Sequence, residues 1–155
     1  MADLDTLRAA LKPILDVAKS LDASSPGAKG ALEEAFPLQS TAMQSLRALV
    51  REGIDGGWLA DRESGGIRFS RVQKAGEENL SVDAVHMDRP GPGHTHPEGE
   101  FDLCFAVSGE PRFDGHPEGW VVYPPGSWHV PTVSGGVMDI LYFLPSGAIR
   151  FEPKP

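Results

Sequence analysis

Hydrophobic residues follow two different periods along this chain. Leu4, Leu7, Leu11, Ile14, Leu15, Ala18 and Leu21 recur every three or four positions, the spacing of one helix face. Pro13 lies inside that stretch without the N–H that a helix interior uses, so the pattern predicts a helix kinked or split there. Ser25-Pro26 reads as an N-cap and first-turn proline opening a short helix that stops before Pro37. Ser40 caps a third helix, with Met43, Leu46, Leu49 and Val50 turned inward and Gly53 just past its end. Beyond residue 60 the apolar runs shorten and turn residues punctuate them. Strands are expected at about 65–72, 79–88, 100–108, 111–114, 119–123, 128–133, 137–144 and 148–152, with Ser134-Gly135-Gly136 as a hairpin turn.

Glycine and proline sharpen this division. Residues 1–60 hold 8 of them and residues 61–155 hold 24, and even spacing of turns between short strands points to a sandwich or small barrel. The expected fold is mainly β: an N-terminal helical segment, residues 1–60, packed on a β-barrel domain, residues 61–155. The 155 residues suffice for one core. A net charge of −8 argues against a nucleic-acid partner. No apolar run reaches the roughly 18–20 residues of a membrane helix, and the opening Met-Ala-Asp-Leu-Asp does not read as a secretory signal. Cys104 is the single cysteine, so no internal disulfide forms; a cytoplasmic location is expected.

Four of the five histidines fall between residues 94 and 129. In Gly93-His94-Thr95-His96-Pro97-Glu98-Gly99-Glu100-Phe101-Asp102, strand alternation turns His94 and His96 to one face, and Glu100 and Asp102 share a face farther on. Pro124-Pro125-Gly126-Ser127-Trp128-His129 adds a turn and a third imidazole. Such a mixed nitrogen and oxygen set suits a divalent first-row metal: iron, manganese, nickel or zinc.

His-x-His-x3-Glu, followed by the spacing Gly119, Pro124, Gly126, His129, resembles the two motifs of the cupin superfamily. The resemblance implies an antiparallel jelly-roll barrel over roughly residues 65–152 with the site in its mouth. Eight residues separate Glu100 from Gly109 and six separate Asp102 from it, so either carboxylate answers to the acidic position of the first motif. Gly57-Trp58-Leu59, Gly66-Ile67-Arg68, Pro92-Gly93-His94-Thr95-His96-Pro97, Gly119-Trp120-Val121-Val122-Tyr123 and Ile140-Leu141-Tyr142-Phe143-Leu144-Pro145 further resemble bacterial 4-hydroxylaminobenzoate lyases. That resemblance implies conversion of 4-hydroxylaminobenzoate to 3,4-dihydroxybenzoate and ammonia in nitroaromatic degradation.

His94, His96 and His129, with Glu100 or Asp102, are the expected metal ligands, and the remaining carboxylate the general acid or base. A small aromatic acid also needs a cation and an aromatic wall. Arg68, Arg71 and Arg112 are candidates for the first; three positions apart on one strand, Arg68 and Arg71 face opposite ways, so only one can line the barrel. Tyr123 and Trp128 are candidates for the wall. Cys104 shares the face of Glu100 and Asp102. Asp139 interrupts an apolar strand and is a candidate to orient a histidine, while His86 and His116 lie outside both motifs. Phe101, Leu103, Phe105 and Val107 form an apolar outer face to be covered by the helices or by a second subunit, and a homodimer is the expectation. Two other functions use the same ligands: a metal-dependent dioxygenase and a non-catalytic small-molecule binder.

Overall fold

Amphipathic stripes become three helices: α1 (Leu4–Ala18), α2 (Ala28–Ala35) and α3 (Thr41–Gly56). The computed structural model describes residues 2–155. Asp3 opens α1 through a capping box with Thr6, and the Ser40 hydroxyl opens α3 by accepting the Met43 amide at 3.3 Å. Contrary to a split at Pro13, α1 runs unbroken through it. Pro13 faces solvent, and Leu7 and Leu11 on one side with Ile14, Leu15 and Ala18 on the other are buried, so packing holds both halves. The α2 helix starts after Ser25-Pro26, with Gly27 as its N-cap, because the Ser25 hydroxyl accepts the Gly27 amide within the preceding turn. Gly53 lies inside α3, which ends instead on Gly57 at φ +78°. A Cβ on Gly53 would stand 2.8 Å from the Trp58 ring, so its bare backbone lets the chain fold back over the helix end.

The strands are β1 (Arg62–Ser64), β2 (Ile67–Gln73), β3 (Leu80–Met87), β4 (His94–His96), β5 (Glu100–Phe113), β6 (Gly119–Tyr123), β7 (Ser127–His129), β8 (Val133–Pro145) and β9 (Arg150–Phe151). One six-stranded antiparallel sheet has the order β1-β2-β3-β8-β5-β6, and a three-stranded sheet the order β7-β4-β9. No hairpin forms at Ser134-Gly135-Gly136. These residues continue β8, where Gly136 pairs with Gly109 and Ser134 with Arg112 across a register slip. Their glycines serve close approach, since a Cβ on Gly136 would lie 2.1 Å from the Ser108 carbonyl oxygen.

Alternation gives the large sheet two apolar faces. Val82, Ala84, Phe101, Leu103, Phe105, Leu141 and Phe143 form one cluster with the helices. Val85, Cys104, Val121, Met138, Ile140 and Tyr142 form another on the opposite face, toward the small sheet. The fold is thus mainly β, an antiparallel jelly-roll-like barrel with an N-terminal helical segment over its outer face. Phe101, Leu103 and Phe105 are fully covered within the one chain, and only Val107 beyond them is exposed. The apolar face that suggested a second subunit is therefore already buried. Trp120 donates its indole N–H to the Phe36 carbonyl at 3.2 Å, and Arg47 reaches the Ala106 carbonyl at 2.8 Å, fastening the helices to the sheet. Among the described residues no helix is long and apolar enough to cross a membrane.

Candidate functional site

The small sheet sets His94 directly opposite His129, and His96 opposite Ser127. Alternation keeps His94 and His96 on one side, and the register brings His129 to the same side. From the facing sheet, the start of β5 lowers Glu100 onto them. The Nε2 atoms of His94 and His96 are 2.9 Å apart, and those of His94 and His129 3.1 Å. Glu100 Oε2 lies 3.0 Å from His96 Nε2 and 3.9 Å from His129 Nε2. One donor atom from each of these four residues falls within 4.8 Å of the others.

The outward ring nitrogens decide the tautomers. His94 Nδ1 faces the Pro92 carbonyl at 3.1 Å, and His129 Nδ1 faces an Asp114 carboxylate oxygen at 2.6 Å. His96 Nδ1 faces the Ser127 hydroxyl at 3.0 Å, whose own proton goes to the Pro124 carbonyl at 2.6 Å. Each partner can only accept, so each Nδ1 carries the hydrogen and each Nε2 turns a lone pair inward. Both Glu100 oxygens are buried without a hydrogen-bond partner among the described residues. Three lone pairs and a carboxylate oxygen thus converge where a cation fits. Separations near 3 Å are those of adjacent ligands about 2.0–2.1 Å from one first-row ion.

Burial pushes His94 down to about 4, against the opposing charge of Glu100, so its imidazole is neutral at pH 7. Asp102, fully buried next to Glu100 on the same strand face, is driven the other way. Burial first, then the Glu100 charge, raise its carboxyl far above the ordinary range. The Tyr123 phenol is raised by burial and donates to Asp114, while its ring stacks on His96 at 5.4 Å and lies 4.4 Å from that of His129. Burial opposes ionisation of Asp114, but hydrogen bonds from His129, Tyr123 and the Thr132 amide outweigh it and hold the carboxyl low.

The structure brings together His94, His96, Glu100, His129, Asp102 and Tyr123, and Glu100 is the carboxylate within the histidine cluster. Three other sequence candidates sit elsewhere. Arg68 points to the helical side, where its guanidinium donates to the Ala60 and Ile54 carbonyls, both at 3.1 Å. Arg112 is exposed and reaches the Gly115 carbonyl at 3.3 Å. Trp128 alternates away from His129 and donates its indole N–H to the Glu152 carbonyl at 2.9 Å. Asp139 orients a histidine outside the cluster, His86, at 2.7 Å, and pairs with Arg51 of α3. Cys104 shares the inner face but is wholly buried. Sequence reasoning missed Asp114, whose only local signal is the Asp114-Gly115 turn dipeptide. It also missed Phe151, which meets His94 edge-on at 5.6 Å.

A cleft of about 710 Å³ leads away from His94 between the two sheets. Ile67, Phe69, Val85, Met87, Tyr142 and Phe151 line its apolar part, and Arg62 and Arg71 its polar part.

A family model described as PnbB: 4-hydroxylaminobenzoate lyase matches residues 13–151. A 4-hydroxylaminobenzoate lyase of Nocardioides sp. (strain LMS-CY) is 32% identical over 137 residues, covering 80% of each chain. One from Pseudomonas putida is 30% identical over 143 residues, covering 78% of this chain and 80% of that one. Among solved structures, an uncharacterized Klebsiella pneumoniae protein with a double-stranded β-helix domain aligns with a TM-score of 0.44 and 20% identity, over 61% of this chain and 89% of that one.

Proposed function

The chain belongs to the 4-hydroxylaminobenzoate lyase family, and from that premise we propose that it converts 4-hydroxylaminobenzoate to 3,4-dihydroxybenzoate and ammonia. The observation that carries this reading is the convergence of three imidazole Nε2 atoms and the Glu100 carboxylate at the end of a cleft that accommodates a substituted benzoate.

The reaction breaks an N–O bond, adds water to the ring beside the nitrogen and hydrolyses the resulting imine. Its net requirement is one water. His94, His96, Glu100 and His129 would hold a divalent first-row ion, which supplies Lewis acidity when bound. Asp102, whose carboxyl burial and the Glu100 charge raise far above the ordinary range, is the acid that gives its proton to the departing hydroxyl group. The carboxylate it becomes then takes a proton from the water that adds to the ring. Tyr123 holds its phenolic proton on Asp114 and packs against His96 and His129, which fixes the rings and keeps bulk water off them. Neutral His94, lining the inner end of the cleft, faces the reacting nitrogen.

The test is turnover of 4-hydroxylaminobenzoate under argon, following 3,4-dihydroxybenzoate and ammonia, before and after chelator treatment. Equimolar products without oxygen, lost with chelator and restored by a divalent ion, are expected. No product under any of these conditions overturns the reaction. Product formed only with oxygen uptake would reassign the ligands to a dioxygenase, and tight binding without turnover would make the protein a binder.

A further inference from the structure

We propose that Arg62, with Arg71 beside it, receives the carboxylate of the aromatic acid at the outer end of the cleft. The proposal rests on the aryl-acid reading above and names the residues that select the acid group.

Pairing across the large sheet fixes the geometry. Arg71 is registered with Asp83, Asp83 with Tyr142, and Tyr142 with Asp102. These four residues form one row on the inner face, three inter-strand steps or about 14 Å from end to end. That span matches an extended arginine side chain followed by a para-substituted benzoate. The row next to it runs from Arg62 to Phe69 to Val85. Phe69 is therefore flanked by both cations, with Arg62 directly opposite and Arg71 two residues along the same strand face. Phe69 is 37% exposed, and Phe151, across the cleft, is 64% exposed. Two half-open aromatic surfaces facing one cleft are unusual for a chain whose other large apolar residues are mostly buried, and they suit a flat ring held between them.

The cations differ in availability. Arg71 is bound bidentately by Asp83, through Nε at 2.8 Å and Nη2 at 3.2 Å, which orients the fork and leaves Nη1 unengaged. Among the described residues Arg62 makes no side-chain hydrogen bond or ion pair. Asp61 also lines the cleft but is exposed and accepts nothing from either guanidinium. A carboxylate entering here thus meets one unpaired guanidinium and a free N–H of a second, the donor geometry it prefers. A ring anchored at this end directs its para substituent toward His94, at the other end of the cleft.

Binding of 4-hydroxybenzoate and of its uncharged amide, 4-hydroxybenzamide, to the full chain by titration calorimetry tests this without requiring turnover. The wild type is expected to bind the acid about tenfold more tightly than the amide. Arg62→Gln should weaken the acid by a similar factor and leave the amide unchanged. Arg71→Lys, which keeps the charge but loses the fork, should weaken the acid by a smaller factor, and Lys29→Gln on the helical layer should change neither ligand. Because Arg62 has no internal partner, its replacement leaves folding intact. A wild type that binds both ligands equally, or an Arg62→Gln protein that keeps the preference, overturns the proposal. The two readings fail separately. Charge-dependent binding without turnover of 4-hydroxylaminobenzoate keeps the anchor and loses the reaction, whereas turnover with KM unchanged in Arg62→Gln keeps the reaction and loses the anchor.

Discussion

His129 Nδ1 lies 2.6 Å from Asp114 Oδ2, so a residue in the turn after β5 sets the tautomer of a histidine at the end of β7. Asp114 also accepts the Tyr123 phenol and, through its other oxygen, the Thr132 amide at 2.9 Å. One carboxylate thereby fixes the ring that supplies the third inward nitrogen and the aromatic wall beside it. Partners of this kind commonly govern ligand affinity by about 10–100-fold.

Replacing Asp114 separates its charge from its geometry. Asp114→Asn keeps an oxygen acceptor and tolerates the positive φ of this position, +49°. It should weaken divalent-metal binding about tenfold, and Asp114→Ala about a hundredfold, as measured by competition with a chromophoric chelator. Unchanged affinity in both variants would remove Asp114 from the site.

Acid should destabilise the metal-free protein through His94. Burial holds this imidazole at about 4, against 6.5 for the ordinary group. Between those values the unfolded chain binds a proton that the folded chain does not, so stability rises with pH across the window and is lost as pH falls from 6.5 toward 4. Thermal unfolding in chelator should show Tm dropping over that range, and the drop should be shallower in His94→Gln. Parallel Tm profiles for the two proteins would contradict this assignment.

Arg68 should behave as a structural residue and not as a substrate contact. Its guanidinium donates to the Ile54 carbonyl in the last turn of α3, which also accepts the Gly57 amide at 3.3 Å, and to the Ala60 carbonyl beyond the helix, tying that helix end to β2. Arg68→Ala should cost about 2 kcal/mol, a fall in Tm of roughly 5 °C for a chain of this length. KM for 4-hydroxylaminobenzoate should not move. A raised KM with unchanged Tm would return Arg68 to the substrate site.

These residues show which parts of the site could be read from the chain. His94, His96 and Glu100 are local: alternation and short spacing place them, and the turn before His129 announces its strand. Asp114, Arg62 and Phe151 reach the site or its cleft only through inter-strand register, which no local pattern encodes. Arg68 misled because strand alternation shows that it and Arg71 diverge, but not which side the helices occupy. The helices themselves were legible from their apolar stripes. The end of α3 and the supposed turn at Ser134-Gly135-Gly136 were less so, because Gly53 and Gly136 answer to close approach by distant backbone or side chains instead of to a turn.

Gly99 should be the glycine at which fold and site fail together. It sits at φ +91° in the turn that joins β4 to β5, between His96 and Glu100, and its amide donates to the His96 carbonyl at 3.2 Å. A Cβ here would stand 2.5 Å from Ala23 Cβ, in the segment joining α1 to α2, and 2.9 Å from the Tyr123 carbonyl oxygen. Gly99→Ala therefore combines backbone strain with crowding against two fixed neighbours, about 3 kcal/mol together, and should weaken metal binding because the turn that sets the His96–Glu100 spacing must shift. Gly115 provides the comparison: its φ is +85°, but nothing lies within 4 Å of an added Cβ. Gly115→Ala should cost about 1 kcal/mol from strain alone and leave metal affinity unchanged. Equal losses of Tm in the two variants would mean that the helical layer yields freely at Ala23, and that the contact does not hold the turn in place.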